Sequence, residues 1–212
     1  SRSRRACGRQ SLRREVTAPR LIVVSDFTRG PEATLLGRIE GCLSRAMPGS
    51  VLVQLREPDL ATRARLALGR RLLEITRRHQ QRFAVNDRLD LARLLQADAV
   101  HLGEGSVGVA DARRLMPDAW ISCAWHAKAS PPEGADALVL SPVFEARHGR
   151  PALGLDAIGR AAGGPPIFAL GGVTPEHAAR AVEAGAAGVA VIGAGLAQDD
   201  PGPPRAALAT IR

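Results

Sequence analysis

Short apolar runs recur along the chain, each ending in polar or glycine positions before a stretch with helical periodicity. The runs are Leu21–Val24, Val51–Leu55, Phe83–Val85, Ala99–Leu102, Trp120–Cys123, Ala137–Leu140, Pro166–Leu170 and Ala187–Ile192. Continuous apolar runs of this length predict strands buried on both faces. Between them, Pro31 to Met47 places Leu35, Leu36, Ile39 and Leu43 on one helical face, and Leu60 to His79 turns Leu66, Leu72 and Leu73 inward. Shorter helices are predicted over Arg88–Leu95, Ala110–Leu115 and Leu155–Ala161, after Thr174, and over Arg205–Ile211. The segment Lys128–Gly134 contains Pro131-Pro132 and predicts one turn at most. Eight strand–helix units in this length predict an α/β chain folded as a single TIM-type (β/α)8 barrel over residues 21–212. A doubly wound open sheet would need a glycine fingerprint after the first strand, and Val24-Ser25-Asp26-Phe27 is not one.

The seventh run stops at Gly171-Gly172, and a helix signal follows at once: Thr174 as N-cap, Pro175 as first helical residue, Glu176 in the first turn. The eighth run stops in the same way at Gly193-Ala194-Gly195. Glycines at a strand–helix junction leave neighbouring backbone N–H groups bare, and such groups bind phosphate. In a barrel, the loops after strands 7 and 8 are the usual phosphate site. Gly171, Gly172 and Gly193 are therefore the predicted anchors of a small phosphorylated substrate.

Charge alters this picture little. The net charge is +8, but residues 1–20 hold seven Arg against one Glu and so carry +6 of it. This segment lacks apolar periodicity and aromatic residues, which predicts a disordered basic arm. Without stacking residues beside the arginines, nucleic acid is not an expected partner. No apolar run approaches the length needed to cross a membrane, and no apolar core follows the arginines as in a secretory signal. Cys7, Cys42 and Cys123 have no metal-ligand spacing, and an odd, scattered count predicts reduced thiols in a cytoplasmic protein. Self-association into a homo-oligomer is compatible with the sequence.

The strand ends collect chemistry-bearing groups: Ser25-Asp26, Gln54 with Arg56 and Glu57, Asn86-Asp87, His101 with Glu104, His126, and the Glu145–Arg150 loop. In a barrel this is the catalytic face. The segments Gln54-Leu55-Arg56-Glu57, Val85-Asn86-Asp87-Arg88, Val100-His101-Leu102-Gly103-Glu104, Ser141-Pro142-Val143-Phe144, Ala169-Leu170-Gly171-Gly172-Val173 and Gly188-Val189-Ala190-Val191-Ile192 follow one another as in the thiamine phosphate synthase family, with its thiazole tautomerase (TenI) branch. The chain resembles that family over about residues 20–197. The resemblance implies an eight-fold barrel acting in thiamine biosynthesis. It implies that Gln54, Arg56 and Asn86 line a pyrimidine diphosphate site, that Asp87 binds magnesium, and that Gly172 and the Ile192-Gly193 backbone hold a thiazole phosphate.

Departures from the synthase pattern shape the expected activity. The second metal carboxylate is replaced by Ser106, and the Thr-x-Thr-Lys run by Glu145-Ala146-Arg147-His148-Gly149-Arg150, where Arg150 is left to meet a diphosphate. A Ser before the strand-5 His is Ala124 here. Gly105-Ser106 and Val143-Phe144-Glu145 are similar to the tautomerase branch. The expected activity is therefore a thiazole phosphate tautomerase, which shifts a proton to aromatise a thiazole carboxylate phosphate and needs no metal. His126 is the expected proton carrier, since an unperturbed imidazole titrates at about 6.5. The alternatives are a divergent thiamine-phosphate synthase using magnesium, and a non-catalytic binder of thiazole or thiamine phosphate. His101 is expected to hydrogen-bond across the barrel rim and Glu57 to partner Arg56 or stand as a loop charge. His79 and His177 are expected at the surface, Cys123 in the barrel interior, and His148 in a mobile glycine loop.

Overall fold

A computed structural model describes residues 18–128, 130–161 and 163–192. The greater part of the basic arm (residues 1–17), Gly193 and the predicted helix Arg205–Ile211 lie outside them. Eight parallel strands close into a barrel in sequence order: β1 (Leu21–Val24), β2 (Val51–Leu55), β3 (Arg82–Asn86), β4 (Ala99–Leu102), β5 (Trp120–Trp125), β6 (Ala137–Leu140), β7 (Ile167–Ala169) and β8 (Gly188–Ile192). Around them lie α1 (Glu32–Leu43), α2 (Thr62–Arg78), α3 (Leu89–Leu94), α4 (Val109–Leu115), α5 (Asp156–Arg160) and α6 (Pro175–Glu183). Between β5 and β6 the described residues form no helix, consistent with Pro131-Pro132, which cannot sustain a backbone ladder. The ring closes where β1 pairs with β8 in the register Leu21↔Val189 to Val24↔Ile192. Closure depends on Gly188, because a Cβ there would overlap the Arg20 carbonyl that receives the Val189 N–H.

Strand alternation divides the core in two. One cluster combines strand residues with helix residues such as Leu36, Leu68, Leu72 and Leu91, so it lies between barrel and helices. The other contains strand residues such as Ile22, Leu52, Ala84, Ala99, Val139 and Phe168, and fills the lumen. In this aromatic-poor lumen, Trp120 meets Phe168 edge to face at 6.0 Å, and alanines on β3, β4, β6 and β8 make room for the rings. Cys123 belongs to the outer layer, contrary to its expected interior place, because it is one residue out of phase with the lumen-facing Trp120 and Ser122. On α2, Leu72 is buried as expected, while Leu66 and Leu73 are only partly buried and Leu68 and Ile75 take the inward face.

The same alternation positions the site. Two residues beyond the apolar lumen layer stand Gln54, Asn86, His101 and Ser122, in phase with Leu52, Ala84, Ala99 and Trp120. Register places Asn86 beside His101 and His101 beside Ser122. A polar layer therefore caps the apolar plug at the C-terminal end of the barrel. No helix among the described residues is long and apolar enough to cross a membrane.

Candidate active site at the barrel mouth

On the β2–β4 side, hydrogen bonds run in a chain from strand to strand. Gln54 Nε2 donates to Asn86 Oδ1 at 2.9 Å, and Asn86 Nδ2 donates to Asp87 Oδ2 at 2.5 Å. The other Asp87 oxygen accepts the Gly103 N–H at 2.9 Å and the Ser106 hydroxyl. Asp87 adopts φ +58°, a left-handed conformation that Asp tolerates and that aims its carboxylate along the rim. Arg56 follows Gln54 on the lumen side of β2, and its charge is felt at His101. His101 behaves as expected: its Nδ1 lies 2.9 Å from Ser122 Oγ. Burial pushes its pKa down from 6.5 to about 4, Asp87 opposing and Arg56 reinforcing the shift, so it is neutral at physiological pH.

Glu57 feels the Arg56 charge, as expected, but its hydrogen bonds go elsewhere. It is out of phase with the lumen and buried, accepting the Ser25 hydroxyl at 2.6 Å and the Phe27 N–H at 3.2 Å. Ser25 Oγ in turn accepts the Arg56 N–H at 2.9 Å. Burial raises the Glu57 carboxyl's pKa, against the lowering effect of the Ser25 bond. Glu57 thus ties β1 to β2 beneath the loop that carries Arg56.

On the β5–β7 side, the groups come from loops. His126 directly follows β5, and its Nδ1 lies 2.5 Å from the Ser141 carbonyl while Nε2 lies 2.6 Å from Arg150 Nη1. A carbonyl can only accept and a guanidinium can only donate, so Nδ1 carries the proton and Nε2 presents the lone pair. Arg150 Nη2 also donates to Glu104 Oε2 at 2.6 Å, and the second Glu104 oxygen lies 3.6 Å from His126 Nε2. Arg150 pulls the Glu104 carboxyl below its usual pKa. Arg150 is presented by a tight turn, His148 at φ +52° and Gly149 at φ +73°, closed by paired backbone bonds between Arg147 and Arg150. His148 thus makes the turn rather than lying in an unstructured glycine loop.

The glycine turn after β7 follows the buried strand directly. Gly171 and Gly172 stand at φ +100° and +69°, and neither N–H donates to an acceptor among the described residues. A Cβ on Gly172 would overlap the Glu145 side chain, its carboxyl carbon included, and one on Gly171 would come within 3.0 Å of Pro142. Thr174 caps α6 by accepting the His177 N–H at 3.2 Å, as its sequence position predicts. His177, expected at the surface, is half-buried instead. Its Nδ1 donates to the Gly172 carbonyl at 2.5 Å, and its ring stacks on Phe144 with centroids 4.2 Å apart. The signal was local: His177 is the third residue after the N-cap, where a side chain can fold back over the turn. Ile192 ends β8 opposite Val24 at the lumen rim, next to Gly193, which is outside the described residues.

Magnesium is the one metal the sequence implies. Asp87 is exposed at the mouth; its Oδ1 already accepts the Gly103 N–H and the Ser106 hydroxyl, while its Oδ2 accepts only from Asn86 and retains a lone pair. That donor set fits an ion that takes most of its ligands from phosphate and water, since Mg²⁺ is commonly held by one or two carboxylates plus substrate oxygens. It does not fit an all-protein cage, as no cluster of three or more His, Cys, Asp or Glu exists among the described residues. A cleft of about 1740 Å³ opens at the opposite end of the barrel, lined in part by Arg77, Asp98, Arg113 and Asp136. Those charges pair with one another, Arg77 with Asp98 and Arg113 with Asp136, so the cleft is a salt-bridged floor. Such pairs at the N-terminal face of a barrel serve stability rather than chemistry.

Comparison with known proteins gives the family. The family model described as thiamine monophosphate synthase (TMP-TENI) matches residues 21–194. A thiamine-phosphate synthase of Thermus thermophilus is 41% identical over 175 residues, 78% of this chain and 84% of that protein. One of Gloeobacter violaceus is 38% identical over 200 residues, 90% of this chain; the chain spans only 57% of that relative's length. Among solved structures, a thiamine phosphate pyrophosphorylase of Pyrococcus furiosus superposes with a TM-score of 0.74 at 26% identity, covering 91% of this chain and 93% of that one. The chain belongs to the thiamine monophosphate synthase family, and the relatives' names favour the synthase alternative over the tautomerase expectation.

Proposed function

We propose that this member of the thiamine monophosphate synthase family catalyses thiamine-phosphate synthesis. In that reaction the ring nitrogen of a thiazole phosphate attacks the methylene carbon of hydroxymethylpyrimidine diphosphate. The C–N bond forms, the C–O bond breaks, and diphosphate leaves with the electron pair. The bare N–H groups of Gly171 and Gly172 receive the thiazole phosphate. Gln54, Arg56 and Asn86 orient the pyrimidine diphosphate, and Arg150 donates to the leaving group's oxygens. Asp87 and Ser106 are the residues that would hold magnesium, which when bound offsets charge on the diphosphate. His101, neutral and bonded to Ser122, positions the floor and takes no part in proton transfer.

The observation that carries this reading is the preformed Gln54–Asn86–Asp87 chain, found in a chain whose close relatives are named synthases. The test is to incubate the purified protein with both substrates and Mg²⁺ and to measure thiamine phosphate and diphosphate. Equal amounts of the two products are expected, and their absence overturns the reading. A second reading, the tautomerase, is favoured by Ser106 replacing a carboxylate and by the fixed neutral tautomer of His126. Against it, the lone pair that would take the proton is already held by Arg150. Metal-independent aromatisation of the thiazole carboxylate phosphate, lost in His126→Ala, would establish it. Binding of thiazole phosphate without turnover of either kind would favour a regulator.

A further inference from the structure

Glu104 makes the contact with Arg150 that an anionic substrate group would make. Its two oxygens face Arg150 Nη2 at 2.6 Å and His126 Nε2 at 3.6 Å, while Lys128 adds a further positive charge nearby. The carboxylate comes from the loop after β4, and the cationic partner from the turn between Arg147 and Arg150. One N–H of Arg150 Nη1 is engaged by His126 and one of Nη2 by Glu104, whose carboxylate offsets the guanidinium charge. A diphosphate oxygen that approaches Arg150 at the mouth therefore meets an arginine already neutralised. The Glu104 side chain is 54% exposed, so releasing it into water costs little burial. An exposed pair of this kind is weak enough to be exchanged for a more highly charged ligand.

We infer that Glu104 is an internal competitor for the Arg150 anion subsite, a specificity-determining residue whose carboxylate stands in for a phosphate oxygen until a diphosphate displaces it. The exchange favours anions that offer more charge and more acceptor oxygens than one carboxylate. Diphosphate wins Arg150 from Glu104, and singly charged or carboxylate ligands do not. The inference rests on the proposed site, with Arg150 as its anion-binding group.

The test is calorimetric titration with inorganic diphosphate and, separately, orthophosphate, each in the presence of Mg²⁺. Glu104→Gln keeps the side-chain size and removes the charge. It should tighten diphosphate binding by about two- to fivefold, the range of an exposed ion pair, and orthophosphate by a larger factor. Arg150→Gln should weaken diphosphate about tenfold or more, as expected for a lost charge-assisted bond. In the Arg150→Gln background, Glu104→Gln should have no further effect. Unchanged or weaker binding by Glu104→Gln overturns the inference, as does tightening that persists without Arg150, because that would reflect net charge alone. Glu133→Gln, another acidic surface position, serves as the net-charge control and should leave both titrations unchanged. If the wild-type protein makes no thiamine phosphate but the Glu104–Arg150 coupling is found, the synthase reading fails and this inference stands.

Discussion

The two halves of the barrel mouth are built differently. The β2–β4 half is strand-borne: Gln54, Asn86 and His101 sit on paired strands, and Asp87 directly follows one of them. Their bonds link neighbouring strands, so barrel closure alone holds them in place. The β5–β7 half is loop-borne: Arg150, Glu104, Glu145 and the glycine pair reach the site from connections, and an exposed ion pair and a two-residue turn hold them. Strand-borne groups give fixed geometry with few alternatives. Loop-borne groups can exchange partners, which suits the end of a site where a charged group must enter and leave. On the proposed reaction, recognition would fall to the first half and release to the second.

Four measurements would break or sharpen that contrast. The largest expected effect is in the fixed half. Asp87→Asn removes the carboxylate at the end of the chain and should lower kcat/KM by about 10²-fold or more, with a raised magnesium requirement seen in steady-state rates at varied Mg²⁺. In the exchangeable half, Arg150→Gln should cost about ten- to a hundredfold in kcat/KM, with the loss rescued in part by Arg150→Lys, which restores charge without the fork. A smaller loss for Asp87→Asn than for Arg150→Gln would reverse the assignment of the two halves.

The third measurement concerns pH. His101 has its pKa pushed down by burial from 6.5 to about 4, so the unfolded chain takes up a proton that the folded chain refuses between those values. Stability is then fully present above about pH 6.5 and falls as pH drops toward 4, by up to about 1.4 kcal/mol per pH unit from this group. Urea unfolding at a series of pH values should show this slope, and His101→Gln should flatten it. An unchanged slope would mean that the polar layer is open to water and not preformed.

The smallest effect is expected at His177. His177→Ala removes the bond to the Gly172 carbonyl and the stack on Phe144, and should cost about 1 kcal/mol of stability. It should also raise KM for the thiazole phosphate severalfold with kcat little changed, while His177→Asn, which keeps a donor, recovers part of the KM. A fall in kcat without a change in KM would remove His177 from the phosphate turn.

Much of this was legible in the residues. The eight apolar runs became the eight strands with small shifts of their ends, and Thr174-Pro175 opened α6 where the cap chemistry required. Gln54, Asn86 and Asp87 were found because strand-end positions are set by sequence distance from an apolar run. The bonds of Glu57 and the layer of Cys123 were misjudged for a single reason. Both depend on which face of a strand a residue takes, and a run that is apolar on both faces carries no alternation to reveal it. The contacts of Glu104 and His126 were invisible for another reason. Their partner Arg150, at 46 and 24 positions' distance, comes from a separate loop, and no local pattern encodes such a meeting; at His177 the bond to Gly172 was local, and only the stack on Phe144 was not.

By itself, then, the sequence determined the barrel, the family and the strand-borne half of the mouth, because hydrophobic periodicity and strand ends are local properties of the chain. Only the tertiary structure decided which nitrogen of His126 carries the proton, which carboxylate holds Arg150, and which ring supports the glycine turn. Those are outcomes of barrel closure, which brings loops far apart in sequence within hydrogen-bond distance and lets charge and geometry choose among them.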